Sequence, residues 1–482
     1  MKTIKIIIAL TLATISYTGN AQNDLDALRY SRMYYGGTAR SSSMGGAFGA
    51  IGADFSTLSI NPAGLGIYRK NEFTFSPSIF LGKTASTYND NTKNDSRYGF
   101  NISNIGLVYA FKTSKNDDKN EWKSVNFAFG LNRYNDFNNR ITIEGVNHEN
   151  SMVNLFQDNA QGMESSNLYL FSTQLAFDTY LIDTLNGRTN YINNFPSGDI
   201  IQRKSIETKG AMQEMVFALG ANYNNKLFIG GTFGFPTVSF TQQSTYKEIN
   251  NADTTLQNFT FNEYLKTTGT GVNFKLGLIY IPVDFEILKV KIGAAIHTPT
   301  FFTLHDEWSS SMKSNLKNGI FTSQIPKGMF DYQLTTPFRA IGSIAIQIGQ
   351  IGIISADYEF VDYSEARLRS KDEMYFDANN TIQDNYTVHN NLRFGAEAAL
   401  GRFSLRGGYA LYGSPYKSNI NDAARTSISG GFGIMDKSYF IDFAYVYSIS
   451  KENYFLYNYD NMNPVKNKIT TQSFLITLGY KF

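Results

Sequence analysis

Apolar and polar residues alternate with a period of two along most of the chain. At the C-terminal end Phe474, Ile476, Leu478, Tyr480 and Phe482 alternate with Ser473, Leu475, Thr477, Gly479 and Lys481, so one face is greasy and the other mostly small or polar. Upstream, Tyr439, Ile441, Phe443, Tyr445 and Tyr447 oppose Asp442, Ala444 and Ser448. Leu392, Phe394, Ala396, Ala398 and Leu400 oppose Arg393, Gly395, Glu397 and Ala399, and Val125, Phe127, Phe129 and Leu131 oppose Asn126, Ala128, Gly130 and Asn132. Successive side chains of a strand point to opposite faces, so this period predicts strands lying between two different environments. A soluble sandwich alternates too, and the composition of the polar face decides between them. That face is rich in Gly, Ser, Ala and Asn and carries Asp357, Glu359, Arg393, Glu397, Arg406 and Asp442. Such a face suits a polar lumen whose charges pair across a barrel, with Phe, Tyr, Leu and Ile turned to lipid.

The pattern predicts strands over 72–82, 98–112, 124–147, 200–223, 226–249, 257–281, 288–308, 329–348, 350–369, 385–400, 402–413, 424–435, 438–454 and 470–482. This is about fourteen, an even number as single-chain outer-membrane barrels have. Connections after odd strands are mostly long (83–97, 148–199, 309–328, 370–384, 414–423, 455–469), and those after even strands mostly short (Asn224-Asn225, Gly349, Gly401, Asp436-Lys437). The exceptions are 113–123 and 250–256. Long loops on one rim and tight turns on the other is how outer-membrane barrels are built, and Asn-Asn, Gly and Asp-Lys suit hairpin turns. In the 148–199 loop, taken as extracellular, Leu168, Phe171, Leu175 and Ile182 recur at spacings of three, four and seven, which predicts an amphipathic helix. Its apolar face either catches a hydrophobic ligand or covers the barrel's own rim, with Met152, Leu155 and Phe156 completing the surface. The expected fold class is therefore all-β, a transmembrane antiparallel β-barrel over residues 71–482.

The N-terminus differs. Lys2 and Lys5, the apolar run Ile6 to Ile15 and Gly19-Asn20-Ala21 read as a signal peptide over residues 1–21, cut after Ala21. The run is well short of the ~20 residues a spanning helix needs, and no apolar run of that length follows. Residues 22–70 break the period of two: a helical stretch around Asp24 to Tyr35, a small-residue run from Ala39 to Ser56, then Ser59-Ile60-Asn61-Pro62-Ala63-Gly64-Leu65-Gly66. Asn-Pro initiates a turn, and Gly64 and Gly66 permit positive φ. Irregular backbone cannot face hydrocarbon, where each unpaired amide costs several kcal/mol, so this segment belongs inside the barrel or in the periplasm.

The stretch from Ala39-Arg40 to Gly46-Ala47, followed at this spacing by Asn61-Pro62-Ala63-Gly64-Leu65, resembles the N-terminal signature of the FadL family of outer-membrane long-chain fatty-acid transporters. Phe403-Ser404-Leu405-Arg406-Gly407-Gly408-Tyr409 with Ser414-Pro415, Ser427 to Gly433, and Asp442-Phe443-Ala444-Tyr445 are similar to its last strands; Asp357 to Ser364 and Ala295 to Pro299 are similar as well. Residues 133–225 depart most. The resemblance implies a barrel plugged by a hatch over residues 22–70, in which Asn61, Pro62, Ala63 and Gly64 hold the hatch's shape. It also implies passive uptake of hydrophobic small molecules such as long-chain fatty acids: capture among extracellular loops, transfer to a pocket by the hatch N-terminus, and sideways exit at a kinked third strand. Met44, Phe48 and Phe55 of the hatch and Leu168, Phe171 and Leu175 of the loop are the candidate ligand contacts. Asn135, Asp136 and Asn138, within Tyr134 to Asn139, either border the lateral gap or mark where the strand rises out of the membrane, because such residues are costly against lipid.

Composition narrows the chemistry. A net charge of +2, from 43 basic and 41 acidic side chains, is no footprint for nucleic acid. The absence of Cys removes disulfides, thiolate metal sites and cysteine nucleophiles. His297 and His305 stand about 26 Å apart on one strand at 3.3 Å per residue, too far to share a metal. No phosphate-cradling motif is present, so neither enzyme, metal nor cofactor is expected. With 38 Phe and 31 Tyr, the 15% aromatic content suits girdles at two water interfaces. The expected location is the Gram-negative outer membrane. The expected partners are outer-membrane lipid, a hydrophobic small-molecule ligand, and the barrel-assembly machinery that reads a terminal strand ending in Phe482. A second reading makes the barrel a structural or adaptor subunit of an outer-membrane secretion or assembly complex.

Overall fold

The computed structural model describes residues 24–113, 121–185, 187–193, 199–250, 256–371, 373–417, 421–459 and 462–482, so the expected signal peptide lies outside the described residues. Fourteen antiparallel strands form the wall. They are β1 (Glu72–Tyr88), β2 (Asn91–Lys112), β3 in two pieces (Trp122–Asp136 and Asn139–Asn147), β4 (Ile200–Tyr223), β5 (Leu227–Asn250) and β6 (Leu256–Asp284). Then come β7 (Leu288–His297 and Phe301–Leu316), β8 (Gly319–Gln324, Gly328–Thr335 and Arg339–Ile348) and β9 (Gly352–Asp362, continued by Arg367–Arg369). The last five are β10 (Val388–Leu400), β11 (Phe403–Tyr412), β12 (Arg425–Met435), β13 (Tyr439–Tyr454) and β14 (Val465–Lys481). β14 pairs back onto β1, from Glu72↔Lys481 to Thr87↔Lys466, so the sheet closes on itself, as lipid requires.

The period of two becomes the two faces of the wall. Phe129, Phe217, Leu276, Ile344, Phe394 and Leu405 are exposed on the outside, while Asn126, Glu214, Lys275, Asp357, Arg393 and Asp442 are buried inside. Short turns follow their residue types: Asn224 and Asn225 take φ of 52° and 54°, the left-handed pair that a two-residue hairpin needs, and Gly401 takes 66°. β7 and β8 break opposite one another at Pro299 and Pro337, which cannot donate to the ladder; Thr300 N donates to Thr336 Oγ1 (2.9 Å) and Thr336 N to Thr300 O (3.0 Å) instead.

Two expected loops are strand. β1 and β2 stay paired through 83–97 to Tyr88↔Asn91, turning at Asn89 and Asp90, and β7 and β8 continue through most of 309–328 to Leu316↔Gly319. Above the lipid neither face need be apolar, so these polar hairpins lack the alternation that marks the rest. The long helix expected over 165–182 is also absent. That stretch holds a 3₁₀ turn at Ser165–Asn167 and a short helix, Thr173–Asp178. The better helix of the loop is Met152–Ala160, where Ser151 and Asn154 form a capping box.

Residues 24–70 run inside the wall. From the N-terminus they form α1 (Asp24–Ser31), α2 (Ala39–Ser43) and 3₁₀ turns at Phe55–Ser59 and Pro62–Ile67. Hydrogen bonds fasten them to strands around the barrel. Asn126 Nδ2 donates to Leu65 O (2.7 Å), Thr232 Oγ1 to Leu58 O (3.0 Å), Lys291 Nζ to Ile51 O (3.2 Å) and Ser429 Oγ to Ser43 O (3.0 Å).

Candidate lateral passage at the third strand

β2 and β3 are paired from Lys112↔Ser124 up to Asn104↔Asn132, where the ladder stops. On its other side β3 bulges between Arg133 and Asn135 against β4, and its second piece continues along β4 from Asn139↔Thr208. Among the described residues the upper part of β2 is paired with β1 alone. The wall between β2 and β3 is bridged there by side chains: Asn101 Nδ2 to Asp136 Oδ2 (3.1 Å), Thr142 Oγ1 to Asp95 Oδ2 (2.6 Å) and Asn91 Nδ2 to Glu144 O (2.9 Å).

Local sequence explains the departure. Asp136 Oδ1 accepts from Asn138 N (2.9 Å) and Nδ2 (2.6 Å), an Asx turn that competes with the ladder. Phe137 N then donates to Gly210 O (3.0 Å). Gly210 sits at φ 122°, and a Cβ there would lie 2.0 Å from Ser239 O, so only glycine fits.

A cavity of about 190 Å³ lies beside this break. Its near side is Tyr34, Tyr35, Phe80, Ser103, Tyr134 and Asn135, and its far side is formed by β11 to β14 with Tyr412, Ser427, Ser473 and Leu475. A neighbouring cavity of about 340 Å³ shares Tyr34, Asp136, Asn138 and Arg425 with it and reaches Arg29 and Phe240. Asn135 joins the break to the N-terminal segment, its Nδ2 donating to Arg32 O (2.6 Å) and its Oδ1 accepting from Tyr34 N (3.3 Å). The Tyr35 ring lies 4.7 Å from the Arg393 guanidinium. Burial, reinforced by the Glu359 carboxylate, pushes the Tyr35 phenol well above its ordinary pKa, and its hydroxyl is buried without a hydrogen-bond partner among the described residues.

Asn135, Asp136 and Asn138 thus all line the first cavity. Met44, Phe48 and Phe55 do not contact it: each is fully buried. The Phe55 ring lies over Gly106 and Gly130 and the Met44 backbone lies against Gly395 and Gly408, where added Cβ atoms would collide with them. In a run of small residues a large ring such as Phe55 acts as a packing wedge. Leu168 and Leu175 are buried in the hydrophobic core of the long-loop cap, and the Phe171 ring meets Trp308 at a tilt, centroids 5.6 Å apart, so these three cover the rim. Asn61 caps the 3₁₀ turn by accepting from Ala63 N (3.2 Å) while its Nδ2 donates to Gly49 O (2.6 Å) and to Leu278 O in the wall (3.1 Å). Pro62 and Gly64 pack behind it, Pro62 O against Gly230 and Gly64 against Gly52.

Arg393, Glu397, Arg406 and Asp442 form two networks with Asp357 and Glu359 of the same polar face and with Arg40 and Arg339, which the sequence reading had not placed among the lumen charges. Arg40 pairs with Glu397 (2.9 Å), which pairs with Arg406 (2.5 Å), which pairs with Asp442 (2.6 Å). Arg339 and Arg393 share Glu359 at 2.5 and 2.6 Å, and Asp357 accepts from Gly49 N (3.0 Å). Lys275 and Glu214 form a third buried pair at 2.6 Å under Tyr134. A lone Arg40 within a small-residue run was the available signal. Among the described residues no group of three or more His, Asp or Glu is placed to hold a metal.

No family model and no curated protein matches the sequence. Solved structures match in shape. The toluene transporter TodX of P. putida is 13% identical with a TM-score of 0.55, over 93% of this chain and 99% of its own. A Pseudomonas aeruginosa FadL homologue is 12% identical with a TM-score of 0.56, over the same shares. The fold of this chain, a closed fourteen-stranded barrel holding its N-terminal segment in the lumen, is that of the FadL-type transporters.

Proposed function

We propose that the protein is a passive outer-membrane channel for uptake of hydrophobic small molecules. They enter from the long-loop rim, reach the cavity beside the N-terminal segment and leave sideways between β2 and β3 into the membrane. The observation that carries this reading is the ladder that stops at Asn104↔Asn132 with a cavity directly behind it. Closed barrels keep every backbone group paired because lipid offers no partner, so an unpaired stretch of wall, bridged by side chains, is a place that opens at small cost. Ile79 and Phe100, paired across β1 and β2 beside the opening, are 56% and 68% exposed on the outer face, so an emerging hydrophobe meets apolar surface. The similarly folded TodX is a toluene transporter, which supports the ligand class. Long-chain fatty acids are the ligands we infer. Each buried methylene supplies about 0.8 kcal/mol, so chain length governs affinity, and the polar lining at Asn101, Asn135 and Ser473 is left for the polar end.

The test fills the cavity from its far wall. Ser473→Trp, in proteoliposomes given a fluorescent long-chain fatty acid, is expected to lower uptake to nearly that of protein-free liposomes while barrel mobility on unheated gels is unchanged. Uptake at the wild-type rate would refute the route.

A further inference from the structure

At the rim of short turns, which in outer-membrane barrels faces the periplasm, a third cavity of about 590 Å³ opens between the N-terminal segment and the ends of β10 to β14. Ala53, Ile67 and Tyr68 form its roof and Met435 part of its side. Five cations line it: Arg69, Lys70, Arg402, Lys437 and Lys481, against Glu72 and Asp436. Glu72 is already engaged, accepting from Tyr68 Oη (3.0 Å) and lying 3.8 Å from Lys481. Arg69 donates to Gly66 O (3.1 Å) and Asn225 Oδ1 (2.9 Å), and Lys70 to Lys437 O (3.4 Å), so neither meets a carboxylate. Arg402 and Lys437 are exposed and form no ion pair among the described residues.

Three other short turns of this rim lack such a concentration. They read Asn224-Asn225-Lys226, Phe285-Glu286-Ile287 and Gly349-Gln350-Ile351, with one cation and one anion among the three. Like charges gathered in a concave site repel one another and attract a counter-anion. Arginine beside lysines around a concavity suits phosphate oxygens, the guanidinium as a two-pronged donor and the ammonium groups as point charges. On the outside of the same sector Phe403, Tyr439 and Phe482 are exposed at the depth where aromatic residues meet the lipid interface. A lipid whose anionic group entered the cavity would have this apolar surface for its acyl chains.

We propose that this cavity binds an anionic phosphate-bearing headgroup, supplied by a phospholipid of the periplasmic leaflet. Arg402 and Lys437 hold the phosphate from the wall turns, and Arg69 and Lys70 hold it from the N-terminal segment. The bound lipid thereby ties the segment to the rim where it enters β1.

The full-length protein is reconstituted in phosphatidylcholine containing a minority of phosphatidylglycerol, re-extracted in mild detergent and washed, and the retained lipid is identified by mass spectrometry. Phosphatidylglycerol is expected to stay in preference to phosphatidylcholine. Arg402→Glu combined with Lys437→Glu, both in exposed turns, is expected to lower its retention about tenfold, an affinity loss of about 1.4 kcal/mol. Lys313→Glu near the opposite rim is expected to leave it unchanged. Equal retention of the two lipids, or full retention by the double variant, would overturn the site. Complete release of phosphatidylglycerol by inorganic phosphate alone would overturn the lipid source in favour of a soluble phosphate.

Discussion

Asn61 spends its whole side chain on shape. One oxygen caps a 3₁₀ turn and the amide nitrogen reaches both Gly49 within the N-terminal segment and Leu278 in β6. The wall makes room with glycine, since a Cβ on Gly277 would lie 1.9 Å from Asn61 Oδ1 and one on Gly230 2.2 Å from Pro62 O. Asn61→Ala is therefore expected to loosen the segment by about 1–3 kcal/mol, the cost of leaving buried polar groups unpaired. Protection of its amides from hydrogen exchange is the measurement, with the barrel strands serving as internal control. The Asn-Pro-Ala-Gly turn was legible because turn chemistry is local. The glycine sockets that receive it were not, because a glycine at a strand position does not show what approaches it from the far end of the chain. The same limit hid the seat of Phe55 over Gly106 and Gly130.

Among the elements, the strands were legible wherever lipid enforces alternation, which is why the order and number of β1 to β14 follow from the sequence while the polar tops of β1, β2, β7 and β8 do not. The 148–199 loop was misread for a related reason. Its apolar residues at helical spacing are buried by partners from β1, β7 and the segment 455–465, a cap core that uses short pieces rather than one helix. The helix Met152–Ala160 is pinned to β5 by Glu248, which accepts from Met152 N (2.9 Å), Gln202 Nε2 (2.9 Å), Tyr246 Oη (2.5 Å) and the Ser151 hydroxyl. Glu248→Leu removes the acceptor for four buried donors, each costing about 1–3 kcal/mol. The loop is expected to become several-fold more sensitive to added protease, with the barrel core still resistant; unchanged cleavage would show that apolar packing alone holds the cap.

For the molecule as a whole, the N-terminal segment runs through the lumen from one rim to the other. The segment starts at the long-loop side, where Asp24 accepts from Tyr386 Oη (2.8 Å) and Asn385 Nδ2 (3.3 Å), and ends at the short-turn rim as β1 begins. Between them Arg40 anchors it to the Glu397–Arg406–Asp442 chain of charges. Removing one partner from such a buried network costs about 3–5 kcal/mol, so wholesale ejection of the segment is an expensive way to open a path. The break between β2 and β3 is the route we propose in its place. Three Asn and an Asp within six residues marked this stretch in the sequence, but the end of its pairing with β2 at Asn104↔Asn132 is not encoded in those residues themselves.

The most direct measurement closes that break reversibly. The chain has no Cys, so Asn101→Cys with Asp136→Cys gives two thiols of defined position where a side-chain contact of 3.1 Å now spans the gap. Bridging them with a short bifunctional thiol reagent whose spacer contains a disulfide ties β2 to β3, and reductant frees them. Fatty-acid uptake by proteoliposomes is expected to fall to near background when bridged and to recover on reduction. Uptake that continues unchanged through quantitatively bridged protein would contradict lateral passage between β2 and β3.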